Sequence, residues 1–150
     1  IHDVKHKSLM IAQTPHTFSG IEVALLDLLA KKENCPIYSL LGYNKSNPKI
    51  AYSSVLFGKN PEQTYDIAKQ QKNKNFNAVK FGWENFGINI KNDEEHLIAA
   101  RDALGKDINL MIDVGAVWGT DVDEANKRSK ILKEANIIWL EEPFFFRCFF

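Results

Sequence analysis

INLMIDVGAVWGTDVDEANKRSKILKEANIIWLE, residues 108–141, contains two short apolar runs separated by a polar segment with a helical pattern. The runs Ile108–Ile112 and Ile137–Leu140 are mostly apolar, which is typical of strands that are buried on both faces. The segment between them predicts a helix from about Asp121 to Ala135. A strand, a helix and a second strand in this order predict two parallel strands joined by a right-handed crossover.

The same alternation continues towards the N-terminus. Two further strands are predicted at Ile50–Phe57 and Ala78–Phe81. Asn60-Pro61-Glu62-Gln63 is a capping box with proline at the first helical position, so a helix should begin there. Asn92-Asp93-Glu94-Glu95 predicts the start of another helix, which Gly105 ends. Four strands that alternate with helices indicate an α/β protein with a parallel sheet.

Two architectures are built from parallel β/α units, the open doubly wound sheet and the closed eight-stranded barrel. An open dinucleotide-binding sheet requires a glycine-rich turn, and Phe57-Gly58-Lys59-Asn60 lacks the GxGxxG spacing. A phosphate-binding GxxxxGK[ST] loop is absent from the sequence as well. Polar residues at the carboxyl ends of the strands favour the barrel, because barrel enzymes build their sites there. We therefore expect a partial (β/α) TIM-type barrel, consisting of about its first four β/α units.

The two ends of the chain differ from this repeating part. Ser19 is predicted to cap a helix that begins at Gly20, and a short second turn should run from Pro36 to Gly42. The polar, turn-rich residues 44–49 are the best candidate for a domain boundary.

Residues 144–150, FFFRCFF, hold five of the chain's ten phenylalanines. A solvent-exposed loop rarely carries such a run, because it would form a large apolar patch. We consider two interpretations, a buried or membrane-contacting tail and an aberrant tail from a misread gene end, and we favour the second.

Composition excludes several functional classes. The 19 basic and 19 acidic residues cancel, so no overall field favours a nucleic acid or an anionic membrane as partner. Cys35 and Cys148 are too few for a disulfide framework, which suits a reducing cytosol. No apolar run reaches about 18 residues, the length that a membrane-spanning helix needs. We expect a cytoplasmic globular protein.

Three predicted strands end in side chains that suit one reaction, namely Lys80, Asp113 and Glu141. Because the carboxyl ends of parallel strands lie at the same edge of a sheet, these side chains should face one pocket. Carboxylate oxygens are the ligands that Mg²⁺ prefers, and a lysine could bind a carboxylate substrate. Taken singly, Asp113 could be a loop or helix-capping carboxylate and Glu141 a solvated strand end. Lys80 could also be a structural ion-pair partner of either acid.

Five segments together resemble the enolase superfamily, in its mandelate racemase/muconate lactonizing enzyme branch. They are Ser19–Leu29, Pro36–Gly42, Ala78–Lys80, Leu110–Asp113 and Trp139–Pro143. Each motif is weak alone, but their order and spacing are specific over residues 15–143. The resemblance implies an N-terminal α+β capping domain followed by a modified barrel. Residues 1–45 would then be the C-terminal helical part of the capping domain, and residues 46–143 the first half of the barrel.

The resemblance also implies roles for the site residues. Metal ligands of the family end the third, fourth and fifth barrel strands; Asp113 and Glu141 match the first two, and the third would lie beyond Phe150. Many relatives end the second strand with Lys-x-Lys, whose second lysine is the base. Here Gly82 replaces that lysine, so Lys80 is assigned to substrate-carboxylate contact and charge balance. Gly115 stands where an asparagine is common, which leaves the substrate class open.

The expected function follows from this resemblance. It implies a Mg²⁺-dependent enzyme that removes the proton next to the carboxylate of a small molecule, and it implies a homo-oligomer. Dehydration of a sugar acid is the leading reaction, and racemisation or cycloisomerisation is the second. The base would come from a later strand, commonly a histidine paired with an aspartate. A different hypothesis is that this chain is a truncated, catalytically inactive product.

Other chemically interesting residues have simpler interpretations. His2 and His6 are one helical turn apart, but without further ligands they indicate a solvated face rather than a zinc site. His96 lies within a predicted helix and is therefore a poor candidate for a general base. Trp83 and Phe86, in a long predicted loop, could form a wall of the substrate pocket or simply pack over the end of the barrel.

Overall fold

The computed structural model describes residues 15–145, which fall into two compact units. The first unit ends at Lys49 and the second begins at Ile50. His2 and His6, and residues 146–150 of the phenylalanine-rich tail, lie outside the described residues. No helix within the described part is both long enough and apolar enough to cross a membrane.

The first unit contains two helices, α1 (Pro15–Lys32) and α2 (Ile37–Leu40). The prediction that Ser19 caps the first helix is wrong, because the helix already begins at Pro15 and Ser19 lies inside it. Pro36 is the extended residue before α2, as predicted. Gly42 follows this turn with a φ of +87°, a conformation that glycine adopts without strain.

The second unit is a parallel sheet whose strands alternate with helices. Its elements are β1 (Ser53–Leu56), α3 (Pro61–Asn73), β2 (Ala78–Gly82), α4 (Ile90–Leu104), β3 (Asn109–Asp113), α5 (Val122–Glu134) and β4 (Ile137–Glu141). The four strands are hydrogen-bonded in chain order and all pairs are parallel. This sequential order is that of consecutive units of a (β/α) barrel. The predicted fold class is confirmed.

Each helix of this unit begins at a side chain that accepts a backbone hydrogen bond. Asn60 accepts from the N–H of Gln63 and so starts α3, as the capping box predicts. The predicted start of α4 at Asn92 is wrong. Asn89 caps this helix by accepting from the N–H of Asn92, so α4 begins three residues earlier and the loop before it is shorter. An asparagine at either position is a plausible cap, and only the path of the loop decides between them.

The hydrophobic core lies between the sheet and the helices. Val79 and Phe81 of β2, and Leu110 and Ile112 of β3, are fully buried in it together with Leu97 of α4. Burial of each such side chain contributes roughly 1.5–3 kcal/mol to stability. Because successive side chains of a strand point to opposite faces, the alternate residues of β2 and β3 face away from the helices.

A buried ion pair joins α4 to α5. Arg128 Nε lies 2.6 Å from Asp93 Oδ2, and both side chains are fully buried. Asp93 Oδ1 accepts from the N–H of Gly87 at 2.9 Å, and a guanidinium N–H of Arg128 donates to the carbonyl of Gly87 at 2.8 Å. Trp118 Nε1 donates to the same carbonyl at 2.9 Å. The loop after β2 is therefore held to both helices through one residue.

Candidate metal centre

The carboxyl ends of β2, β3 and β4 bring together all three predicted site residues. The ammonium of Lys80 donates to Oε2 of Glu141 at 2.8 Å and to Oδ2 of Asp113 at 3.2 Å. The three side chains, in chain order, are 11%, 15% and 35% exposed. The ion pairs considered for Lys80 from the sequence therefore both form. Two carboxylates face one cationic atom at the edge of the sheet.

An irregularity in the sheet sets which residue of β4 faces Asp113. Leu110 is opposite Ile137, but Met111 is opposite Trp139, so Ile138 is an extra residue in β4. Such a bulge shifts all later pairs by one position. As a result Asp113 is opposite Glu141. Without this shift Asp113 would be opposite Leu140, and the carboxylate of Glu141 would point to the other face of the sheet.

Lys80 is held in its charged form. Burial alone lowers the pKa of its ammonium, but the hydrogen bonds to Glu141 and Asp113, together with their negative charges, outweigh burial and raise the pKa above its ordinary value. The centre of the Tyr52 ring lies 5.9 Å from the ammonium, and the face of an aromatic ring attracts a cation. A lysine that stays protonated can bind an anion but cannot accept a proton.

The two oxygens of Asp113 have different partners. Oδ1 accepts from the N–H of Gly115 at 3.1 Å and from the indole Nε1 of Trp83 at 3.3 Å, whereas Oδ2 accepts from Lys80. Trp83 is 59% exposed, so its ring is at the surface of the site. Phe86, which the sequence grouped with Trp83, is buried and stacks on Phe57 with ring centroids 4.8 Å apart. The two aromatic residues of this loop therefore have separate roles.

A cavity of about 270 Å³ lies against this group of side chains. It is lined by Ser54, Val55, Leu56, Lys80, Gly82, Trp83 and Asp113. A larger groove of about 640 Å³ runs between α3 and α4. We place the site at the smaller cavity, because the ends of parallel strands are where barrel enzymes hold their reactive groups and because the lysine and a carboxylate line it.

Gly82 has no room for a side chain. A Cβ at this position would lie 2.9 Å from both the Cβ and the carbonyl oxygen of Asp113. A lysine here would require β3 to move away from β2, because the neighbouring atoms belong to its backbone and to the base of a side chain. The two strands therefore approach each other closely at this glycine.

The donor atoms fit a hard divalent cation. Asp113 and Glu141 both accept from one ammonium, so their carboxylates face the same point at the edge of the sheet. Mg²⁺ is commonly held by one or two carboxylates while its other positions are filled by water or substrate. Within residues 15–145, no group of three or more His, Cys, Asp or Glu side chains is arranged to hold a metal ion. The described residues thus bring two candidate carboxylate ligands together.

His96 lies in the helical layer rather than at the strand ends. It is 1% exposed, its Nδ1 lies 2.7 Å from Oγ1 of Thr64, and its ring is edge-on to Phe57. Burial lowers the pKa of His96, although the charges of Asp93 and Glu95 partly oppose this effect. The residue is a neutral part of the core.

Sequence reasoning missed two features of the site, the ring of Tyr52 beside Lys80 and the hydrogen bond from Trp83 to Asp113. Period-2 spacing could have found the tyrosine, because positions 52, 54 and 56 share one side of an extended chain. No local pattern reveals the hydrogen bond, since the two residues are 30 positions apart.

Comparison with known proteins identifies relatives over most of the chain. Residues 63–146 match the family model described as enolase C-terminal domain-like. The chain is 28% identical over 143 residues to an N-succinyl-L-Arg/Lys racemase of Bacillus cereus, covering 95% of this chain and 37% of the racemase.

Solved structures give the same result. A predicted mandelate racemase from Rhodobacter sphaeroides superposes with a TM-score of 0.80 at 44% identity, over 94% of this chain and 36% of that one. A D-glucarate dehydratase from Agrobacterium tumefaciens, complexed with magnesium, superposes with a TM-score of 0.79 at 25% identity, over 96% and 40%. The chain therefore spans less than half the length of each of these three proteins.

Proposed function

This chain belongs to the enolase superfamily, in the mandelate racemase/muconate lactonizing enzyme branch, and we propose that the whole protein containing it is a Mg²⁺-dependent enzyme that removes the proton next to a substrate carboxylate. The observation that carries this proposal is that Asp113 and Glu141 face one cationic atom. Hard carboxylate ligands at neighbouring strand ends suit that metal and that chemistry. A solved relative that contains magnesium also supports it.

Each site residue has a role in the proposed reaction. Asp113 and Glu141 would hold Mg²⁺ through their carboxylates. The bound ion would supply positive charge that stabilises the negative charge developing on the substrate carboxylate. Lys80 would bind the substrate carboxylate through its ammonium and balance the charge of the two acids. Removal of the adjacent proton then becomes less costly, because the charge it leaves behind is stabilised.

The proton acceptor is a separate group in this proposal. Lys80 is assigned to the substrate carboxylate, and Gly82 offers no side chain. His96 is buried among the helices. We therefore assign the base to a part of the whole protein other than residues 15–145.

Dehydration of a sugar acid is the reaction we propose first. The dehydratase among the structural relatives acts on a sugar acid, as its name states, and Ser54 adds a hydroxyl to the wall of the cavity. Racemisation or cycloisomerisation of another carboxylate is the second candidate, which the racemase relative supports. Assembly into a homo-oligomer stays part of the proposal.

Exchange of the α-proton for deuterium tests the general proposal, because each of these reactions begins with loss of that proton. We expect NMR in D₂O to show Mg²⁺-dependent exchange on one member of a panel of sugar acids and N-acyl amino acids. Asp113→Asn and Glu141→Gln should each reduce the exchange rate at least about a hundredfold, since each removes a ligand that holds the charge-stabilising ion. Asp107→Asn, at an exposed aspartate outside the site, should leave the rate unchanged.

Exchange that persists in EDTA, or that survives Asp113→Asn, would contradict the metal role of this group. The alternative that residues 1–150 alone are inactive has its own measurement. Calorimetry of that chain should show no saturable Mg²⁺ binding if the two carboxylates are insufficient. Mg²⁺-dependent exchange of the α-proton by that chain would rule this alternative out.

A further inference from the structure

We propose that Trp83 is a positioning residue that holds the carboxylate of Asp113 so that Oδ2, rather than Oδ1, faces the metal ion. This inference rests on the proposed function, because it takes Asp113 to be a metal ligand. It assigns to Trp83 a role beyond that of a pocket wall.

Hydrogen bonding distinguishes the two oxygens of Asp113. Oδ1 has two N–H donors, the indole of Trp83 at 3.3 Å and the backbone of Gly115 at 3.1 Å. A carboxylate oxygen offers about two acceptor positions, so Oδ1 is fully used. Among residues 15–145, Oδ2 accepts from Lys80 alone, at 3.2 Å, and Glu141 contacts the same ammonium. Oδ2 is therefore the oxygen that lies beside the position a shared cation would take.

The backbone is shaped to place the indole on Asp113. Trp83 and Glu84 have φ values of 61° and 55°, which non-glycine residues adopt only at a cost. The N–H of Trp83 donates to the carbonyl of Asp113 at 3.2 Å, which anchors this strained turn to β3. Strain of this kind concentrates at functional sites, where surrounding contacts hold it in place.

Two glycines make room for the same arrangement. A Cβ on Gly115 would lie 3.0 Å from the indole nitrogen of Trp83, and a Cβ on Gly82 would lie 2.9 Å from Asp113. Glycine at both positions allows the indole and the carboxylate to approach each other. The remainder of the loop is fixed through Gly87, which the ion pair of Asp93 and Arg128 holds.

The exposure of Trp83 argues against a purely structural role. A side chain that is 59% exposed contributes little to core packing, so its substitution should leave the fold intact. Groups that hydrogen-bond to a metal ligand orient it, and their loss typically weakens metal affinity about 10- to 100-fold. The proposal therefore predicts an effect on metal binding without an equal effect on stability.

Calorimetric titration of the whole protein with Mg²⁺ alone tests the positioning role of Trp83. Trp83→Phe keeps the aromatic ring and removes the N–H donor, and we expect it to raise the Kd about tenfold or more. Trp139→Phe is the matched control, since Trp139 is also partly exposed and is edge-on to Tyr52 on the same face of the sheet. We expect that control to change the Kd less than about twofold. Melting temperatures in EDTA should be similar for the wild type and Trp83→Phe.

Gly115→Ala provides a second variant, in which the indole of Trp83 and the backbone N–H of residue 115 are both still present. Its Cβ should displace the indole of Trp83, so this variant should also weaken Mg²⁺ binding. In ¹⁵N-labelled wild-type protein, the indole N–H signal that disappears in Trp83→Phe should shift during the Mg²⁺ titration. The signal assigned through Trp139→Phe should shift less.

The outcomes separate this inference from the proposed function. Equal Mg²⁺ affinity in the wild type and Trp83→Phe would overturn the positioning role and leave the metal site standing. Equal losses of affinity in Trp83→Phe and Trp139→Phe would also overturn it, since the effect would then be general. A wild-type protein without saturable Mg²⁺ binding would overturn both proposals.

Discussion

Lys80 and Glu141 lie 61 residues apart in the chain, and the ammonium of the first donates a 2.8 Å hydrogen bond to Oε2 of the second. Asp113 accepts from the same ammonium at 3.2 Å. Three strands that are consecutive in the sheet each supply one of these groups. The ammonium of Lys80 therefore lies where the carboxylates of Asp113 and Glu141 converge. A metal ion held by the same carboxylates would have to compete with it.

Lys80→Met should increase the affinity for Mg²⁺ in the absence of substrate. The ammonium and the metal ion compete for the same carboxylate oxygens, so removal of one cation should favour the other by about tenfold, on the order of the interaction of two partly screened charges. The same variant should lose substrate turnover, because it no longer binds the substrate carboxylate. Calorimetry measures the first effect and α-proton exchange the second.

Lys74→Met, at an exposed lysine between α3 and β2 on the opposite edge of the sheet, is the control for this experiment and should leave both quantities unchanged. In EDTA, Lys80→Met should also lower the melting temperature, because two partly buried carboxylates lose their counter-charge. Added Mg²⁺ should restore it. Weaker Mg²⁺ binding in Lys80→Met would show that the ammonium and the metal ion do not compete.

His96 should make the protein less stable in mild acid. Burial lowers the pKa of His96 in the folded state, so the unfolded chain binds a proton more readily than the folded one. The stabilising contribution of the neutral ring is present above the unfolded pKa, near 6.5, and is lost as the pH falls through the folded pKa. Urea unfolding at a series of pH values between neutral and mildly acidic conditions measures this loss.

His96→Asn keeps a side-chain group near Oγ1 of Thr64 but does not titrate in this range. It should be less stable than the wild type at neutral pH, because packing against Phe57 is lost. Its free energy of unfolding should fall less steeply with decreasing pH. Parallel pH dependences in the two proteins would mean that His96 is not responsible for the acid sensitivity.

Asp93→Asn should be strongly destabilising. Asp93 and Arg128 are fully buried and in contact, so this change leaves the buried guanidinium of Arg128 paired with the partly exposed Glu124 and without its fully buried partner, at a cost of up to about 3–5 kcal/mol. Denaturant unfolding measures this. Glu95→Gln in the same helix is the control, since its 3.9 Å pair with Lys91 is exposed and should contribute less than about 1 kcal/mol. Similar losses in the free energy of unfolding of both variants would indicate that the buried ion pair stabilises the fold no more than the exposed one.

Gly87→Ala should also destabilise the fold, by about 1–3 kcal/mol. Gly87 has a φ of +92°, and a Cβ there would overlap Cγ1 of Val117. Gly20→Ala is the opposite case, because Gly20 lies inside α1 with no atom within 4 Å of an added Cβ. That change should be neutral or stabilising by up to about 1 kcal/mol. Thermal unfolding compares the two, and an unchanged melting temperature in Gly87→Ala would contradict the proposed crowding.

Much of the fold could be predicted from local pattern. The apolar runs that predict strands at 108–112 and 137–140 correspond to β3 and β4, each displaced or extended by only one residue. This works because strand and helix periodicity arise from the geometry of neighbouring residues. The misplaced cap at Asn92 has the opposite cause, since the path of the loop before α4 decides where that helix begins.

The sequence by itself determined the alternation of strands and helices, and with it the edge of the sheet at which Lys80, Asp113 and Glu141 emerge. Only the tertiary structure decided that the extra residue Ile138 sets Asp113 opposite Glu141, and that Trp83 donates to one particular oxygen of Asp113. The physical reason is that element type follows from short-range backbone and side-chain preferences. Register and side-chain contact depend on hydrogen bonds and packing between segments about 30 residues apart, which no local pattern contains.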